Sequence, residues 1–127
     1  MNESAPVPTE IRLHKKSRSL ELVYADGETF QLPCEYLRVF SPSAEVRGHG
    51  PGQEVLMVGK ENVAITAVEP VGRYAVRLRY SDKHDSGLYT WQYLQELGRS
   101  MESNWQSYLD RLDEAGYVRK KPDEPPQ

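Results

Sequence analysis

Cysteine is almost missing from this chain. Cys34 stands alone, which rules out an internal disulfide and any metal cage built from several thiolates. A single thiol fits a reducing compartment, so a cytoplasmic protein is expected. Long apolar runs are missing as well: the longest uncharged one, Val63 to Val68, falls far short of the roughly 20 residues that cross a bilayer. The start, Met1-Asn2-Glu3-Ser4-Ala5-Pro6, has neither the basic opening nor the apolar stretch of a signal peptide, and no membrane role is expected. There is no surplus of positive charge either. A net charge of −3 argues against sequence-independent nucleic-acid binding, which needs many Lys and Arg to displace counterions from phosphate. No Gly-x-Ser-x-Gly elbow occurs. The nearest approach to a phosphate cradle, Gly48-His49-Gly50-Pro51-Gly52, lacks the Lys and the helix start that such a loop needs.

What is present is enough for one core. The chain has 127 residues, 38% apolar and 28% charged, which is the composition of a globular domain with a wet surface. Residues 1–9 and 118–127 are Pro-rich and polar and are expected to be tails. Leu20, Leu22 and Tyr24 alternate, Ala25-Asp26-Gly27-Glu28 supplies a turn, and Phe30 and Leu32 resume the alternation, which predicts a β-hairpin. Pro33 then offers a helix start, and Tyr36, Leu37 and Phe40 place apolar groups on one side of a short helix. From Arg47 to Gly59 the glycines predict a long loop. Val63, Ile65 and Ala67, broken by Pro70-Val71-Gly72, and then Tyr74, Val76, Leu78 and Tyr80 predict a second hairpin. Tyr89, Trp91, Tyr93, Leu94 and Leu97 suggest a helix capped by Thr90 and ended by Gly98. Met101, Trp105, Tyr108, Leu109 and Leu112 make a second one, stopped by Gly116. The expected fold is α+β, with small antiparallel hairpins, one short helix between them and two helices at the C-terminal end.

Several residues invite a chemical role, each beside a plainer one. Cys34, just past Pro33, could be a thiol activated by a helix start or a small buried hydrophobe. His84 between Asp82 and Asp85 could belong to a metal site, with His49 or Asp82 beside it, or to a solvated turn. Arg73, Arg77 and Arg79 alternate with Tyr74, Val76 and Leu78. Together with Arg38, Arg47 and His49 they could grip an acidic partner, or the row could be an ordinary wet face.

Three blocks carry a family likeness. Tyr24-Ala25-Asp26-Gly27, the run Leu32-Pro33-Cys34-Glu35-Tyr36-Leu37-Arg38, and the run from Tyr80 to Trp91 together resemble the gamma-butyrobetaine hydroxylase N-terminal-like domain. Val68-Glu69-Pro70-Val71-Gly72-Arg73-Tyr74 fits it too, so the resemblance covers residues 10–98, with 99–117 an added helix. The resemblance implies a small β-rich domain that precedes an iron-dependent catalytic domain in the hydroxylases. Related copies are fused to iron–sulfur carrier ATPases or stand alone. It implies a structural zinc held in the hydroxylases by three cysteines and the histidine of an Asp-x-His turn. Here His84 matches the histidine, but Ser41, Ser43 and Val46 stand at the cysteine positions. The family's zinc is therefore expected to be lost, with Ser41-Pro42-Ser43 tying down its own backbone and His84 hydrogen-bonding where it would have ligated. Taken together, these readings predict a non-catalytic accessory domain without a cofactor that binds a protein, in a setting of iron or iron–sulfur protein maturation. The alternative is a metal-binding protein using His84 with other ligands.

Overall fold

The computed structural model describes residues 5–43, 46 and 55–120. Three strands, β1 (Glu10–His14), β2 (Ser19–Val23) and β3 (Thr29–Pro33), form an antiparallel meander in the order β1-β2-β3. Register sets the apolar residues in columns: Leu13 lies opposite Leu20 and Leu20 opposite Leu32, while Ile11 lies opposite Leu22 and Leu22 opposite Phe30. A slip of one residue would turn every one of these side chains to the wrong face. The predicted hairpin is β2 and β3. Its turn is closed by the Gly27 amide donating to the Tyr24 carbonyl at 3.0 Å and the Glu28 amide donating to Asp26 Oδ1 at 2.9 Å. Gly27 adopts φ +92°, a conformation that a side chain disfavours. Strand β1 was not expected. Its Ile11 and Leu13 alternate with Arg12 and His14 over only five residues, too short a run to separate from the polar stretch before it.

The second sheet has the order β4-β5-β6, with β4 (Ile65–Val71), β5 (Ala75–Tyr80) and β6 (Leu88–Thr90) all antiparallel. Pro70 does not break β4, contrary to the sequence reading, and pairs with Val76. An edge strand tolerates a proline because one side of its backbone needs no partner. Tyr74 is 57% exposed, in the turn before β5, so it does not share the inward face of Val76, Leu78 and Tyr80. Tyr89 belongs to β6 rather than to the helix that follows.

Helix α1 (Cys34–Val39) buries all six of its residues. This differs from the one-sided helix expected. The charged members Glu35 and Arg38 are buried as well, and each meets an opposite charge: Glu35 pairs with Arg119 and Arg38 with Asp82. Helix α2 (Trp91–Arg99) is capped as predicted, with Thr90 Oγ1 accepting the Tyr93 amide at 3.0 Å. Helix α3 (Met101–Glu114) ends at Gly116, φ +76°. The Gly116 amide donates to the Asp113 carbonyl at 3.0 Å and the Tyr117 amide to that of Leu112 at 2.9 Å, the two bonds of a Schellman cap.

The inner faces of both sheets meet α1 and α2 in one core that includes Leu20, Leu22, Leu32, Leu37, Leu78 and Leu94, each 0% exposed. Full burial of such a side chain contributes roughly 1.5–3 kcal/mol. Tyrosines staple this core through their hydroxyls. Tyr36 Oη donates to the Leu97 carbonyl at 2.7 Å, Tyr89 Oη to that of Leu37 at 2.7 Å, and Tyr93 Oη to that of Phe40 at 2.6 Å. Burial pushes the Tyr36 phenol up to about 12 and raises that of Tyr89 further, so both stay neutral donors. The described residues of the two expected tails include some that are held to the body of the domain. Thr9 donates its amide to the Val23 carbonyl at 2.7 Å, Arg119 holds Glu35, and the Lys120 amide donates to Glu61 Oε2 at 2.7 Å.

Gly98 lies inside α2 rather than at its end, and the reason is packing. A Cβ there would stand 2.5–2.7 Å from three ring carbons of Phe30. In an exposed helix Gly→Ala stabilises by up to about 1 kcal/mol. Here the sign should reverse: Gly98→Ala is expected to destabilise by about 1–3 kcal/mol. Urea unfolding checks it, and a midpoint at or above that of the parent protein would contradict the packing argument.

Candidate functional site

Two turns meet beside the C-terminal end of α1. The first is Ser41-Pro42-Ser43, directly after the helix, and the second is the 81–87 turn joining β5 to β6. Their approach depends on Gly87, because a Cβ at that residue would lie 2.4 Å from Ser41 Oγ. Ser41 is 1% exposed, Ser43 7%, Val46 5% and His84 6%, so the three cysteine positions of the resemblance and its histidine position are all buried. His84 Nε2 lies 2.9 Å from Ser41 Oγ. Ser41 Oγ also accepts the Ser43 amide at 3.3 Å, and Ser43 Oγ lies 2.8 Å from Ser86 Oγ. The Val46 amide donates to the Ser43 carbonyl at 3.0 Å. The serine turn thus ties down its own backbone and engages His84, as the substituted positions suggested.

Asp82 organises the second turn. Its Oδ2 accepts Arg38 Nε at 2.9 Å and Lys60 Nζ at 2.7 Å, and its Oδ1 accepts the His84 amide at 3.1 Å. Burial alone would raise this carboxyl, but the bonds from Lys60, the His84 amide and Arg38 prevail and hold it down at about 2. Tyr80 closes the turn from below. Its amide donates to the His84 carbonyl at 3.0 Å, and its ring lies 5.9 Å from both the His84 ring and the Arg38 guanidinium carbon.

The residues proposed for a partner separate into groups. Arg38 is 4% exposed, so it is an internal counter-charge and not part of an outward face. Arg47 and His49 lie outside the described residues. Arg79 is neutralised by Glu69 at 2.9 Å and Asp85 at 3.1 Å. Arg73 lies exposed in the β4–β5 turn and Arg77 points outward from β5, and neither side chain enters an ion pair among the described residues. Cys34 is 1% exposed and burial raises its thiol, which is the opposite of an activated nucleophile.

The donor set at the junction does not suit the zinc that the resemblance implies. Serine hydroxyls are poor ligands beside thiolates, and Val46 has no donor atom. Among the described residues no group of three His, Cys, Asp or Glu side chains is placed to hold a metal. The roles of Asp82, Lys60 and the Glu35–Arg119 pair were missed from sequence. Arg38 and Asp82 are 44 residues apart and Glu35 and Arg119 84 apart, and no local pattern announces such pairs.

Known proteins place the chain. The profile of the family described as gamma-butyrobetaine hydroxylase-like, N-terminal, matches residues 11–95. Two proteins solved by NMR are similar over nearly their whole length. One is 48% identical with a TM-score of 0.79, covering 96% of this chain and 95% of its own. The other is 43% identical with a TM-score of 0.80, covering 100% and 96%. A crystal structure from Acidithiobacillus ferrooxidans, described as a protein with unknown function of the DUF971 family, is 43% identical with a TM-score of 0.61, covering 72% of this chain and 91% of its own. A search of the curated proteins finds no match. The order of the blocks, the buried serine and histidine positions and these likenesses agree, and the chain belongs to the gamma-butyrobetaine hydroxylase-like N-terminal family.

Proposed function

We propose that this chain is a non-catalytic accessory domain that binds an acidic protein partner through the outward side of β5 and the turn before it. The observation that carries this reading is the contrast among the arginines. Arg79 is neutralised by two carboxylates, whereas Arg73 and Arg77 enter no ion pair among the described residues, and Arg73 adjoins Tyr74, itself 57% exposed. Arg and Tyr are the residue types that most often anchor protein interfaces, since each offers contact area together with directed donors. Catalysis has less behind it. The Ser41 hydroxyl and the His84 imidazole form a buried pair, and Ser41 Oγ is already engaged by a backbone amide. A setting in iron or iron–sulfur protein maturation rests on the family resemblance alone. Metal binding at His84 with His49 or Asp82 has weaker support, because Asp82 already serves two cations and the His84 ring contacts Ser41.

Charge reversal tests the reading. The Arg73→Glu/Arg77→Glu double variant should fold normally and lose the partners that the parent protein captures from native extract. Capture of the same proteins by both, or of none above a bare-resin control, would refute it.

A further inference from the structure

Between α1 and the 81–87 turn lies a cavity of about 290 Å³ lined by Arg38, Lys60, Asp82, Lys83, His84, Asp85 and Ser86. Its charges do not cancel. Asp82 is shared by Arg38 and Lys60, and Asp85 is bonded from outside the cavity by Arg79 at 3.1 Å. Lys83 is exposed and enters no ion pair among the described residues. Arg38 adds an independent sign. It is 96% buried by its 4% exposure, its Nε is taken by Asp82, and its Nη1, shut away from water, has no hydrogen-bond partner. The Tyr80 ring draws on the guanidinium charge but is not a full acceptor. Buried donors are nearly always matched, so the guanidinium that lines the cavity has hydrogen-bonding capacity to spare; Nη1 itself is closed off, and an anion in the cavity would meet it after a small rotation of the guanidinium.

We propose that this cavity binds one small oxyanion, of the phosphate or dicarboxylate kind, held between Arg38, Lys60 and Lys83. Guanidinium and ammonium groups bind such ligands by charge-assisted hydrogen bonds, which are stronger than neutral ones. The size restricts the ligand. At about 290 Å³ the cavity lies at or below the lower end of sites that enclose drug-sized molecules, so it suits a small anion the size of phosphate or malonate rather than a nucleotide. Neither Arg73 nor Arg77 takes part, so the proposal stands or falls separately from the protein-binding reading.

The test is a titration of the full chain, ¹⁵N-labelled, with phosphate, malonate and chloride at matched ionic strength. The expected result is saturable shifts of the Asp82–Ser86 amides and of the Arg38 Nε–H with phosphate or malonate, and none with chloride. Whichever oxyanion saturates names the ligand class. The Lys60→Met/Lys83→Asn variant removes two charges while Asn accommodates the φ of +72° at residue 83. It should bind at least about tenfold more weakly. Failure of both oxyanions to saturate in the parent protein overturns the proposal, as does unchanged affinity in a natively folded double variant.

Discussion

Asp82→Asn is expected to cost about 3 kcal/mol of stability at neutral pH. The Arg38 side chain is 5% exposed and Asp82 is the carboxylate on it, so removing that charge leaves a buried cation alone, which typically costs about 3–5 kcal/mol. The lower end is chosen because Asp82 itself is 23% exposed and water can reach it. Asn has nearly the same shape, and its Oδ1 can still accept the His84 amide, so the substitution isolates the charge from the turn. Urea unfolding of both proteins measures the difference. A loss below about 1 kcal/mol would mean that packing and Tyr80, not Asp82, hold Arg38 in place.

The same pair should show in the acid limb of stability. Asp82 is held at about 2 in the fold against an ordinary 3.8. A carboxyl lowered on folding stabilises fully above its unfolded value and ceases to do so as pH falls through the folded one. The gap corresponds to about 2 kcal/mol. The difference between parent and Asp82→Asn should therefore be constant above about pH 5 and shrink between about pH 4 and pH 2. A difference that stays constant across this range would separate the stability of the turn from the ionisation of Asp82.

A stoichiometric zinc ion is the expected gain of the triple variant Ser41→Cys/Ser43→Cys/Val46→Cys. The family resemblance supplies the ligand pattern, and the structure shows that these positions and His84 are buried at one junction. Ser41 Oγ and His84 Nε2 are 2.9 Å apart, whereas sulfur and nitrogen across a tetrahedral zinc stand about 3.6 Å apart. For this pair the turns need open by less than about 1 Å. Three thiolates and one imidazole make a closed structural site, and zinc held by the folded state alone adds its binding free energy to stability. Elemental analysis should find one zinc per chain in the variant, and a chelator should lower its melting temperature while leaving that of the parent protein unmoved. A variant that purifies without metal and ignores the chelator would show that the serine turn no longer has a ligating geometry.

Local sequence was sufficient wherever a local rule acted. Ala25-Asp26-Gly27 between alternating apolar residues determined the β2–β3 hairpin, Thr90 three residues ahead of Tyr93 determined the start of α2, and Gly116 determined the end of α3. The buried Ser41, Ser43, Val46 and His84 junction was also within reach, because the order and spacing of the family's blocks record a contact that the sequence does not otherwise display. What escaped were the features whose cause lies elsewhere in the chain. Strand β6 is three residues long and exists because β5 is there to pair with it. Pro70 is tolerated in β4 because that strand lies at an edge, and Gly98 sits within α2 because Phe30 comes from β3 to meet it. Arg38 reads as a surface cation, yet it is buried because Asp82 reaches it from a distant segment. Periodicity and turn chemistry act over a few residues and can be read along the chain. Burial of a charge depends on which opposite charge the fold delivers to it, and only the tertiary structure decides that.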